Sequence, residues 1–137
     1  MAVYVATDHK VTVNGTNLSA VLQSVSLDLS ADEIETTAFG GGWRTRVAGL
    51  KSGSVTLNFF QDFGAAMVDA TLQPLFNAGS YATVVITPTS TATSATNPAY
   101  TAVCLVSQYQ PYSASVGDIA TLSVTWMTSG TVSRATA

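Results

Sequence analysis

The sequence predicts a mainly β chain: a β-sandwich or incomplete barrel of about six to eight strands, with one flanking α-helix and a long inter-strand arm. Three observations carry that reading. Strict alternation recurs along the chain, with Val25, Leu27 and Leu29 on one face of a strand, Val55, Leu57 and Phe59 on one face of another, and Leu122, Val124 and Trp126 on a third. A single segment, Gln61 to Gly79, changes from the two-residue period to a helical one. Between the strands ending at Leu29 and starting at Ser54, residues 30–53 show no strong period of their own. At 137 residues the chain is one domain, 1–137, long enough to bury roughly two thirds of the surface its unfolded form exposes.

The elements follow in order. Lys10 to Asn14 alternates Val11 and Val13 and runs into Asn14-Gly15, a dipeptide that tolerates the positive φ of a tight hairpin, with a short return through Leu18. Val21 to Leu29 is the first strong strand. The arm comes next, residues 30–53, and an unstructured stretch of that length is unusual inside a compact domain. Phe39, Trp43, Val47 and Leu50 carry too much apolar area for a segment that stays solvated, so the arm reads as a partner surface. After the strand Ser54–Phe60, residues 62–78 are expected to be helical. There Asp62 is the candidate cap, Ala65, Ala66, Val68, Leu72, Leu75 and Phe76 share a broad face, Pro74 threatens a kink, and Asn77-Ala-Gly79 supplies the stop. Strands are expected at Ser80–Pro88, Tyr100–Gln110 and Ile119–Thr128. Residues 89–98 read as a polar, flexible tip of Thr, Ser and Ala, and residues 129–137 as a small, polar tail that frays.

Composition points toward association. Charged residues are 9% of the chain against about 25% in an ordinary soluble domain, with Ser, Thr and Gly in their place, and a net charge of −3 repels other copies weakly. Acidity argues against a sequence-independent grip on nucleic acid, which needs clustered Lys and Arg. The single cysteine, Cys104, lies in the apolar alternation of Ala102–Val106 and reads as a small buried hydrophobe that forms no internal disulfide. The first ten residues lack the basic and apolar regions of a secretory signal, and no apolar run approaches the roughly 20 residues that span a bilayer.

Tests for chemistry fail one by one. The lone His9 stands beside Asp8, with no serine in a G-x-S-x-G setting, so no catalytic residue is assigned and an enzyme is not expected. Gly40-Gly41-Gly42 leads into Trp43-Arg44-Thr45-Arg46 and not into a helix, so it is no phosphate cradle. Asp28, Ser30 and Asp32 open with the spacing of a calcium loop, but Glu33 and Phe39 occupy positions that need glycine and a bidentate acid. No metal or cofactor is therefore expected. The sharper reading of the acidic turn pairs Glu33 or Glu35 with Arg44 or Arg46, of the same or another subunit, and exposed pairs of this kind set register more than strength. The sequons at Asn14 and Asn17 are coincidental without a signal.

The order of segments carries a resemblance. Leu22-Gln-Ser-Val-Ser-Leu27, Ala31-Asp-Glu-Ile-Glu-Thr-Thr-Ala-Phe-Gly40 and Val47-Ala-Gly-Leu-Lys-Ser-Gly-Ser-Val-Thr-Leu57, followed by Asn97-Pro-Ala-Tyr100 and Ser115-Val-Gly-Asp118, resemble the major tail (tail tube) proteins of long-tailed bacteriophages over about Val11 to Gly130. The resemblance implies a β-sandwich whose copies form hexameric rings, stacked into a hollow tube that delivers the genome. It implies a virion tail location after synthesis in the host bacterial cytoplasm. The arm would contact neighbouring subunits, with Glu33, Glu35, Phe39, Trp43, Arg44, Arg46, Val47 and Leu50 as candidate interface residues. Implied partners are sister copies together with tape-measure, tail-terminator and baseplate proteins, with DNA passing through the lumen without specific binding and no membrane insertion. Two alternatives stay open: another virion sandwich such as a decoration or tail-terminator subunit, and a carbohydrate- or receptor-binding β-module that uses Tyr109 with Tyr112.

Overall fold

The computed structural model describes residues 3–137; Met1 and Ala2, the first residues of the expected 1–137 domain and of the stretch read for a leader, lie outside the described residues. Strands β1 (Lys10–Val13) and β2 (Thr16–Asn17) are joined at Asn14-Gly15, whose φ values of 50° and 85° are the two positive angles the hairpin was expected to need. A 3₁₀ turn (Ser19–Val21) leads into the long hairpin of β3 (Leu22–Glu35) and β4 (Arg46–Phe60). Helix α1 (Val68–Ala78), β5 (Tyr81–Thr87), β6 (Ala99–Leu105), β7 (Thr121–Met127) and β8 (Ser133–Ala135) complete the chain. All pairings are antiparallel, in two open sheets of order β2-β1-β5-β6-β8 and β3-β4-β7. The sandwich expectation holds, and the two sheets stay open, with no closed barrel among the described residues.

The core forms where the inward faces of the two sheets meet. Val11, Val13, Ala82, Val84, Ala102 and Cys104 come from one sheet, and Val55, Leu57, Phe59, Leu122, Val124 and Trp126 from the other. Trp126 is wholly buried, and its Nε1–H donates to the Gln108 carbonyl at 3.0 Å, which satisfies the one polar atom the core would otherwise strand. Burial raises the Cys104 thiol to about 11, in keeping with its role as a small hydrophobe.

Helix α1 covers one side of the core with Val68 and Leu72 buried and Leu75 packed against them. It begins at Val68, not Asp62. Ala66 sits at φ 58° and breaks the helical path, while the Asp62 carboxylate accepts from the Gly64 N–H at 2.8 Å and so holds a turn in place of capping. Ala65 and Ala66 therefore precede the helix. Pro74 lies inside it, yet α1 stays in one piece up to Gly79, whose φ of 64° ends it with bonds from the Gly79 and Ser80 N–H groups to Phe76 and Leu75.

The remaining differences lie at element ends. β6 stops at Leu105, five residues short of Gln110, and β7 starts at Thr121, leaving Ile119 exposed. In the tail, Ser133–Ala135 pairs with Ala99–Thr101, so part of a segment expected to fray completes a sheet edge. Within residues 89–98, Asn97 is buried: its side chain accepts from the Thr89 N–H and donates to the Thr91 and Ala92 carbonyls.

Candidate functional site

The most conspicuous surface feature is the outer half of the β3–β4 hairpin. β7 pairs with β4 only from Ser54 onward, so residues 30–53 leave the body as a two-stranded ribbon with β3 paired to β4 alone. Local chemistry builds the ribbon. At its base, Gly53 donates its N–H to Thr128 Oγ1 at 3.1 Å and accepts from the Thr128 N–H at 2.9 Å. A Cβ at Gly53 would lie 2.9 Å from Leu29 Cδ2 and 3.1 Å from the Asp28 carbonyl, so a larger residue would have to push the Leu29 side chain aside and crowd the backbone of β3. Toward the tip, the Thr36 N–H donates to the Thr45 carbonyl at 2.8 Å, their hydroxyls lie 2.9 Å apart, and the Thr37 hydroxyl accepts from the Thr45 N–H. Residues 30–35 and 46–53, read from sequence as lacking a period, are thus strand.

A register shift between Ala31 and Glu33 explains why the sequence hid this. Ala31 faces Lys51, whereas Glu33 faces Ala48, so β4 carries an additional residue at this point. Along β3 the inward face that begins with Val25 and Leu27 continues through Leu29 and Ala31 to Glu33 and Glu35. The opposite, polar face of Ser26, Asp28 and Ser30 continues to Ile34, which pairs with Val47. Beyond the body, then, the apolar side chains change sides. A Cβ at Gly49 would meet Ile34 Cδ1 at 3.0 Å, so the glycine also keeps the Ile34 side open.

All eight residues singled out from sequence are exposed. Phe39 is fully exposed and Trp43 89% exposed, with Leu50 at 82%. Glu35 reaches Arg44 at 3.5 Å and Glu33 reaches Arg46 at 3.9 Å, both within one chain. The arm carries Asp32, Glu33 and Glu35 against Arg44, Arg46 and Lys51, so it is neutral and the acidity of the protein belongs to the body. Ile34 escaped the sequence reading because it stands alone between two glutamates; its signal was its parity, opposite to Leu27 and Leu29.

The other candidate groups are held in local hydrogen bonds. Asp8 accepts from the Ser90 hydroxyl at 2.7 Å and from its N–H, bonds that lower its pKa, while His9 Nε2 lies 2.9 Å from the Tyr4 hydroxyl. Among the described residues, no group of three or more His, Cys, Asp or Glu could hold a metal ion. Tyr109 and Tyr112 do not make a common platform. Tyr109 packs against the core and donates its hydroxyl to Asp69 at 2.7 Å, whereas Tyr112 is 78% exposed and meets Phe63 in a tilted pair with centroids 5.7 Å apart. No helix of the described residues is long and apolar enough to cross a membrane.

No protein-family model and no curated protein matches the chain. Solved structures do. A chain from the virion of a native gene transfer agent (GTA) particle superposes with a TM-score of 0.75 at 14% identity, over 93% of this chain and 95% of that one. The tail of an empty GTA particle with C6 symmetry gives 0.67 at 16% identity, over 82% and 81%. The SPP1 tail tube gives 0.75 at 14% identity, over 95% of this chain and 77% of that chain. The chain has the fold of phage tail tube proteins.

Proposed function

We propose that the protein is a structural virion subunit, not an enzyme, whose copies form hexameric rings that stack into a tail tube for genome delivery. The observation that carries this reading is the arm: a tube-protein fold that holds Phe39 and Trp43 in water, on a ribbon with unpaired edges, is incomplete as a monomer. One fold neighbour comes from a tail with C6 symmetry, which supports a six-fold ring. In the β3-β4-β7 sheet, β3 and β7 are both edges, so strand addition from copy to copy would extend it into a continuous wall.

The outward face of that sheet suits a conduit. Its rows are Ser24, Asn58 and Ser123; Ser26, Thr56 and Thr125; and Asp28, Ser54 and Met127. Many of these groups bond sideways, Asn58 Nδ2 to Ser24 Oγ at 2.6 Å and Ser26 Oγ to Asp28 Oδ2 at 3.1 Å, and the rows hold no cation. A hydroxyl surface with one carboxylate per subunit gives DNA phosphates nothing to grip. Tape-measure, tail-terminator and baseplate proteins are the further partners this role requires.

Negative-stain microscopy of concentrated protein tests the reading. Rings or tubes are expected, with DNA affinity that stays weak at low salt. A protein that remains monomeric at high concentration and in the presence of tail initiator components overturns it.

A further inference from the structure

A cleft of about 620 Å³ lies at the base of the arm, between the ribbon and the segment that follows β7, lined by Leu29, Ala31, Lys51, Thr128, Thr131 and Val132. Its volume falls within the range of sites that enclose small molecules, ample for an indole. We propose that this cleft receives the Phe39–Trp43 tip of the arm of a second copy of the chain, an inference that rests on the reading of the arm as an interface.

Four features select a second copy as the occupant. The tip cannot reach its own cleft, because the paired ribbon from Ala31 to Thr36 alone extends it roughly 15 Å or more away at about 3.3 Å per residue. The apolar change of side at the bulge turns Ile34 and Val47 away from the body's own core face. Lys51 is the one arm cation without an ion pair among the described residues, and a lysine in a cleft complements the face of an indole. Phe39 and Trp43 each bring about 150–250 Å² to an interface whose usual share is about 800 Å² per partner, so two anchors supply close to half. Knob and hole at separate places on one chain make a heterologous contact, the kind that closes rings or builds stacks.

Disulfide trapping tests the contact while keeping both aromatics. Tagged Gly42→Cys protein, where a Cβ meets nothing within 4 Å, is mixed with untagged Thr131→Cys protein under mild oxidation, with Ser123→Cys on the far sheet face as the comparison. The mixed dimer is expected to form at least tenfold more with Thr131→Cys, and adding Trp43→Ala to the Gly42→Cys chain should reduce it to the comparison level. Equal trapping at residues 123 and 131 overturns the cleft assignment. If wild-type tubes form without the mixed disulfide, the cleft is wrong and the tube reading survives. If the disulfide forms and tubes never do, the cleft stands and the tube reading falls.

Discussion

The inner and outer halves of the β3–β4 hairpin are built from the same two strands and meet opposite fates. From Leu22 to Ala31 and from Lys51 to Phe60, alternation sends Val25, Leu27, Val55, Leu57 and Phe59 toward the other sheet and the helix, and the last three are wholly buried. From Asp32 to Leu50 no described residue covers the ribbon, and Ile34, Val47 and Leu50 are half or more exposed. Backbone pairing separates them in part, since β4 bonds to both β3 and β7 in the inner half and to β3 alone in the outer half. Burial separates them further: the inner half stabilises the monomer through apolar area removed from water, whereas the outer half leaves its apolar area exposed.

The two tryptophans sharpen this contrast most. Trp126→Ala is expected to cost about 3–5 kcal/mol of folding stability, since it empties the core and orphans the Gln108 carbonyl. Trp43→Ala should change the denaturation midpoint by less than about 0.5 kcal/mol and yet abolish rings and tubes in micrographs. Equal destabilisation of the monomer by both would erase the distinction between core and arm.

A smaller effect is expected on the body side alone. Burial first, and the hydrogen bond to Asp69 second, push the Tyr109 phenol from 10.0 up to about 12. The fold therefore holds the protonated phenol, so this contribution is complete below pH 10 and is lost as pH rises toward 12. Tyr109→Phe should cost about 1 kcal/mol at neutral pH and flatten the alkaline decline of stability, read by urea melts across that range. An unchanged alkaline slope would show that Tyr109 does not contribute to it.

The smallest effect belongs to the arm's ion pairs. Glu35 and Arg44 lie 3.5 Å apart with side chains 50% and 73% exposed, so Glu35→Gln should alter monomer stability by less than about 1 kcal/mol in a melt. A larger loss would mean that the arm is held by its charges and not by its backbone ladder.

How far the sequence could be read tracks where its signals were local. The Asn14-Gly15 hairpin, the alternations around Val55 and Val124, the buried Trp126 and the stop at Gly79 were all legible, because each depends on residues within a few positions of one another. The strands of the arm were not, because the additional residue in β4 breaks the parity between Lys51 and Ala48, and Glu33-Ile34-Glu35 inverts the expected pattern. The helix start misled for a related reason: Asp62-Phe-Gly-Ala-Ala has helical composition, but the positive φ of Ala66 reverses the chain. Strand β8 had no sequence signal at all, being three small or charged exposed residues that acquire order only from the edge of β6.

By itself, then, the amino-acid order determined the layering of this protein: which positions face inward, where the helix stops, and that a charge-poor surface with stray aromatics is left over. Only the tertiary structure decided that the leftover segment is a ribbon whose apolar side reverses at a bulge, and that Lys51 and Val132 meet at a cleft beneath it. Periodicity is set by neighbours along the chain, whereas a cleft or a change of face arises when residues far apart in sequence, such as Leu29 and Thr128, are brought together by the pairing of β4 with both β3 and β7.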